Sequence, residues 1–273
     1  MYLTITIHMK LQDIYIYPIK SLGGIRLEEA VLEERGFRYD RRWMLVDKAG
    51  MFITQRTHPI LALLQVEIVA DGLMVFHKQH PEKCIIVPFE PVSQHRIQVT
   101  IWEDTVEGQV VQEEVSAWFQ QILGLDCELV CMPLSTQRKL KEKYAVNGES
   151  VSFADGMPYL IIGQESLNDL NSRLEKPVPM DRFRPNLVFS GGTPFVEDAW
   201  KEIKIGEAIF KVTKPCARCV LTTVDQATAE KGKEPLKTLA TYRTFHNNVM
   251  FGQNMLLLEG EKVRVGDALK VVQ

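Results

Sequence analysis

No apolar run in this chain approaches the ~20 residues that a membrane-spanning helix needs. A helical membrane protein is therefore not expected. Basic residues are not in surplus either: 32 Lys and Arg face 35 Asp and Glu, for a formal net charge of −3. That balance argues against a general nucleic-acid binder, while leaving room for a local basic pocket. Cysteine is scarce, with five residues, an odd and scattered set, which argues against a secreted disulfide framework. The cysteines are also too dispersed for a tight four-cysteine run, so no internal iron–sulfur cluster is expected. The opening M-Y-L-T-I-T-I-H-M-K has no basic start and only a short, interrupted apolar run, unlike a signal peptide. No repeat or low-complexity segment stands out. A soluble protein of the cytoplasm, bound neither to membrane nor to nucleic acid, is the expectation.

What the chain does have is length and apolar content. Its 273 residues, 45% of them hydrophobic, can bury a sizeable core as one large or two interlocked domains. Alternation in residues 11–17 (L-Q-D-I-Y-I-Y) predicts a strand limited by Pro18. Met44 to Val46, a turn at Asp47 to Gly50, and Met51 to Thr54 predict a hairpin. Residues 60–112 read as short strands punctuated by turns. Val115, Trp118, Phe119 and Ile122 then predict a helix over Glu113 to Leu123, stopped by Gly124. The polar stretch from Pro133 to Ser152 reads as an exposed loop or helix. A strand over Tyr159 to Ile162, a helix from Gln164 to about Leu174, a hairpin around Gly206 and a last hairpin at Val263 to Asp267 follow. The fold class is mainly β (α+β).

The stretch of most chemical interest is K-P-C-A-R-C-V-L-T-T-V-D, Lys214 to Asp225. Cys216 and Cys219 bracket Arg218, and a thiolate is favoured by nearby positive charge or a metal. The β-branched run Val220 to Val224 predicts a strand after the cysteines. Lys20 and Ser21 open a Gly-rich turn able to bind an anion through backbone N–H groups, although it lacks the glycine spacing of a Walker A loop. Arg41, Arg42 and Arg56 concentrate positive charge near the first hairpin. One of them can clamp a phosphate, or Asp40 can pair with one arginine and leave the rest solvated. Arg184 precedes Pro185, which biases it to extended geometry and sets Arg184 and Asn186 on one side of the chain. Such a cation and amide suit a polyanion carrying a heterocycle. Cys127 and Cys131, joined to Cys216 and Cys219, offer a four-cysteine zinc site as an alternative.

Several separated pieces in order, Y-P-I-K-S, D-R-R-W, S-L-N-D-L-N-S-R-L, R-F-R-P-N, E-D-A-W, C-A-R-C-V-L-T-T-V-D, K-E-P-L and F-G-Q-N, resemble the MOSC family, and within it the mARC/YcbX-type proteins that bind molybdenum cofactor. The resemblance covers nearly the whole chain. It implies an N-terminal MOSC-type β-barrel region over residues 1–125 and a C-terminal MOSC β-barrel domain with flanking helices over 126–273. It implies Cys219 as the molybdenum ligand and catalytic centre, with Cys216 a neighbour. Lys20, Ser21, Arg41, Arg184, Asn186 and Arg218 are implied around the cofactor, with Asp155, Gly156 and Met157 as a loop near the pterin. Met157 stands where animal relatives carry a small polar residue, and Asn254 where they carry tyrosine. The activity implied is reduction of N-hydroxylated compounds to amines by Mo-molybdopterin. Electrons would come from a separate ferredoxin, flavodoxin-type reductase or cytochrome b5-like protein. A non-catalytic module that carries or hands over the cofactor is the alternative.

Overall fold

The computed structural model describes residues 8–273; most of the N-terminal stretch tested for a signal peptide, residues 1–7, lies outside them. Strands dominate, with short helices at Glu113–Leu123, Gln164–Ser172 and Leu236–Ala240. Among the described residues no helix is long and apolar enough to cross a membrane.

The largest sheet is built on the antiparallel pair Ala208–Arg218 and Asn248–Glu259. Tyr159–Gly163 extends it, antiparallel to Asn248–Glu259 and parallel to Leu187–Ser190. The first described strand, Lys10–Ile16, pairs with Leu187–Ser190 and, on its other edge, with Ile25–Leu27, which ends this side. Its core is aromatic: Tyr159 meets Phe37 and Phe210 edge-on, and Phe189 meets Trp200. A second sheet orders Trp43–Val46, Glu128–Cys131, Asp104–Val110 and Arg96–Ile101. A third joins Leu64–Val69, Gly72–His77 and His80–Pro88. The helix Glu113–Leu123 turns Val115 and Phe119 into the core shared by these strands and ends at Gly124 in the left-handed conformation.

Pairing crosses the middle of the sequence in both directions. Lys10–Ile16 joins the sheet of the second half, and Glu128–Cys131 joins that of the first. The division at residue 125 falls between the helix ending at Leu123 and the strand opening at Glu128. The two halves are thus stitched together beside the place where their loops meet.

Three local expectations differ from the structure. Val220–Thr223 is a 3-10 turn, not a strand. Cys219 O accepts from both Thr222 N and Thr222 Oγ1, and Thr223 Oγ1 donates to Val220 O, so local side-chain bonds outcompete extension. Arg184 is left-handed (φ 52°, ψ 47°), because its N–H closes the turn Met180–Phe183 on Asp181 O. The last hairpin is absent: Lys262–Arg264 pairs with Glu29–Glu33, and Leu269–Val271 with Glu202–Ile205. Phe251 to Asn254 lies inside the long strand Asn248–Glu259.

Within that strand Gly252 has φ 79°. A Cβ there would meet Ile161 O at 2.8 Å and Ile162 Cγ1 at 2.6 Å. Gly252→Ala should lower unfolding free energy by more than about 1 kcal/mol. Denaturant titration checks this; an unchanged midpoint would contradict the tight approach of these strands.

Candidate functional site

Cys219 follows directly on the strand Ala208–Arg218, whose register slips against its neighbour between Val212 and Lys214 and between Pro215 and Ala217. Pro215 has no N–H to give the ladder, and such slips re-aim a strand end. Lys214, Cys216, Arg218 and Cys219 all line one cleft of about 660 Å³. Cys219 is half-buried and extended, and its carbonyl starts the 3-10 turn. Its Sγ accepts a hydrogen bond from Arg56 Nε at 3.3 Å.

Arg56 also donates through Nη2 to Asp155 Oδ2 at 2.6 Å, and its guanidinium lies 4.5 Å from the Trp102 ring centroid. Asp155 takes a second cation, Lys20, at 2.5 Å, and Trp102 Nε1 at 3.3 Å. Lys20 is almost fully buried and also donates to Phe153 O. Burial pushes its pKa down to about 8, with Asp155 opposing. The Asp155 side chain is 52% exposed; the desolvation it undergoes favours the neutral acid, but Lys20 and Arg56 outweigh it and hold the carboxyl below the usual range. Arg138, buried, pins this loop by donating to Ser152 O, Ala154 O and Asp104 Oδ2.

Across the cleft, Tyr17 is a platform between two arginines. Arg41 and Arg184 lie 4.4 Å and 4.1 Å from its ring centroid. Arg41 is committed to structure: it donates to Asp40 Oδ2 (2.6 Å), Asn186 Oδ1 (3.2 Å) and Arg184 O (3.1 Å). Arg184 is not. It is 8% exposed, and its Nη2 has no partner among the described residues. Burial pushes its pKa down to about 10. Arg218 donates to Phe251 O and Phe183 O, while its Nη2 is likewise unpartnered. Buried unpaired N–H groups are costly, so this pair marks a place for an acceptor.

Residues 8–126 match the MOSC N-terminal beta barrel domain, and residues 148–270 match the MOSC domain. The chain is 32% identical over 272 residues to mitochondrial amidoxime-reducing component 1 of Mus musculus, covering 93% of this chain and 80% of that one. It is 34% identical over 275 residues, with the same coverage, to mitochondrial amidoxime reducing component 2 of Rattus norvegicus. The chain belongs to the MOSC family. A molybdenum cofactor sulfurase of Oryza sativa subsp. japonica is 32% identical over 280 residues, of which this chain spans about a third (33%).

In this MOSC chain every residue singled out from the motifs lines the one cleft: Lys20, Ser21, Arg41, Asp155 to Met157, Arg184, Asn186, Arg218, Cys219 and Asn254. Their freedom differs. The Asn186 amide accepts from Arg41 and donates to Tyr15 O, so it braces the arginines and is not presented as a free amide. Ser21 is left-handed and buried, its carbonyl taken by Gln55 Nε2. Asn254 Nδ2 lies 3.4 Å from Lys214 O and from Pro215 O. Sequence reasoning counted Arg56 among three arginines, one of which could clamp a phosphate, but not as a partner of Cys219, and missed Trp102, Tyr144 and Phe245 on the rim. The Asp40–Arg41 pair was the part it foresaw for the hairpin arginines.

The four-cysteine alternative is not supported. Cys127 and Cys131 are buried in the core of the first half, where burial pushes their thiols up to about 11 and about 12. Among the described residues no group of three or more His, Cys, Asp or Glu side chains is placed to hold a metal. Cys216 packs against the Phe251 and Leu160 cluster.

The Asp155 carboxyl titrates lower in the folded chain than in the unfolded one, so the unfolded chain takes up this proton first as pH falls. Stability from its cation contacts is complete above about pH 4 and is lost below. Urea unfolding at roughly pH 5 and roughly pH 3 should show a fall in midpoint that is smaller in Asp155→Asn. Equal falls in both chains would remove Asp155 from this role.

Proposed function

We propose that this chain is a molybdenum cofactor-dependent oxidoreductase that reduces N-hydroxylated compounds to amines. The carrying observation is one half-buried cysteine sulfur in the same cleft as two arginines, Arg184 and Arg218, whose buried Nη2 groups are unmet. Molybdopterin brings a phosphate and two sulfurs, and its metal needs a further soft ligand, so this donor set fits it. Names of relatives at about a third identity, for amidoxime reduction and for molybdenum cofactor sulfuration, support the same reading.

On this reading Cys219 holds the metal. Arg184 and Arg218 donate to the anionic part, joined by Lys20, whose charge Asp155 partly balances. Arg41 and Asn186 keep Arg184 in place through its carbonyl and their own bond. Ser21, Gly156, Met157 and Asn254 shape the walls. When bound, the metal centre supplies two-electron chemistry for removing the N–OH oxygen as water. The electrons come from a separate ferredoxin, flavodoxin-type reductase or cytochrome b5-like protein, in the cytoplasm.

Turnover tests this directly. Cofactor-loaded protein, given an N-hydroxylated amidine and a reduced dye as electron donor, should form the amidine. Cys219→Ser should lower the rate by about a hundredfold or more while the thermal melt of the cofactor-free chain stays put. Cofactor bound with no turnover on any N-hydroxylated compound tried would favour the carrier function instead.

A further inference from the structure

Among the described residues Arg56 is the one side chain that donates a hydrogen bond to Cys219 Sγ. It reaches the sulfur from 163 residues away in sequence, across the seam between the two halves of the chain. Its position is fixed from several sides. Nη2 binds Asp155 Oδ2 at 2.6 Å, the guanidinium stacks on Trp102, and its own carbonyl accepts from Lys231 Nζ at 2.6 Å. Asp155 is in turn held by Lys20, and its loop by Arg138. Nε and Nη2 lie along one edge of the guanidinium, the edge that elsewhere clamps a phosphate. Here that edge spans a sulfur and a carboxylate. Lysine, a point charge on a flexible stem, does not reproduce a planar fork between two acceptors.

We propose that Arg56 is a positioning residue that sets the direction of the Cys219 sulfur. Asp155 and Trp102 hold the guanidinium, and the guanidinium holds the sulfur at the cleft wall. That this sulfur meets molybdenum rests on the function proposed above; the Arg56 contact does not. With the metal bound, an N–H donor to a ligating sulfur tunes its donor strength from outside the coordination shell.

The test uses the cofactor-free full chain and iodoacetamide, with alkylation followed at each cysteine by mass spectrometry. A sulfur held by one N–H donor presents one face to reagent, and access helps set the rate at which a thiol reacts. Arg56→Ala should therefore change the rate of Cys219 alkylation by about threefold or more and leave the exposed Cys84 unchanged. An unchanged Cys219 rate would overturn the proposal. Should Arg56→Ala open the buried Cys127 and Cys131 to reagent, Arg56→Gln, neutral and close in length, is read by the same criterion. The unmutated chain gives an independent readout. Alkylating Cys219 should shift the NMR signal of the Arg56 Nε–H, and a signal that stays put would equally overturn the proposal. Molybdenum content of the loaded parent is scored separately. A parent without molybdenum that still shows the difference in rate between parent and Arg56→Ala loses the cofactor reading and keeps the role of Arg56.

Discussion

The Asp155 carboxylate is the one acid among the residues lining a cleft crowded with lysine and arginine. Lys20, Arg56 and Arg138 crowd together here, and burial, opposed by Asp155, pushes the Lys20 pKa down to about 8. Asp155 makes this crowding tolerable by binding Lys20 and Arg56 at once. Because both cations belong to the first half of the chain and Asp155 to the second, the same contacts close the seam. Arg138, planted on Asp104 and on the carbonyls of residues 152 and 154, holds the loop where the carboxylate can do this. Across the cleft no acid plays that part for Arg184 and Arg218. Their free N–H groups stay buried and unmet. Such groups cost stability when left unmet, and here two of them converge on the cleft as donors for an acceptor.

The positions of the cleft residues were legible in the sequence, and the conformations that deliver them were less so. Lys20, Arg184, Arg218 and Cys219 were each marked by a short motif, and one fold collects them into one place. The backbone at two of those motifs was misread. β-branched Val220 to Val224 has strand composition, yet two threonine hydroxyls close a turn on the carbonyls just before them. Pro185 biases Arg184 toward extension, yet the turn at Met180–Phe183 and the Tyr17 ring hold it left-handed. In both cases a contact with a specific partner overrides a local preference.

Trp102, Tyr144 and Phe245 were invisible for a different reason. Trp102 and Tyr144 sit on turns and Phe245 on the two-residue strand Thr244–Phe245, and no periodicity tells which short segments from distant parts of the chain will share a rim. The helix Glu113–Leu123, by contrast, was read with its stop, because its apolar spacing and the Gly124 cap are local. The zinc alternative failed on the same distinction. Cys127 and Cys131 pack in the core of the first half, while Cys219 ends a strand of the second.

Elemental analysis is the most direct measure of the central claim, that this cleft is built for a molybdenum cofactor. The chain should be purified from a host that makes the cofactor and assayed for molybdenum, zinc and bound phosphorus. About one molybdenum per chain, with phosphorus in step and zinc near zero, is the result this account predicts. Stoichiometric zinc without molybdenum would contradict it.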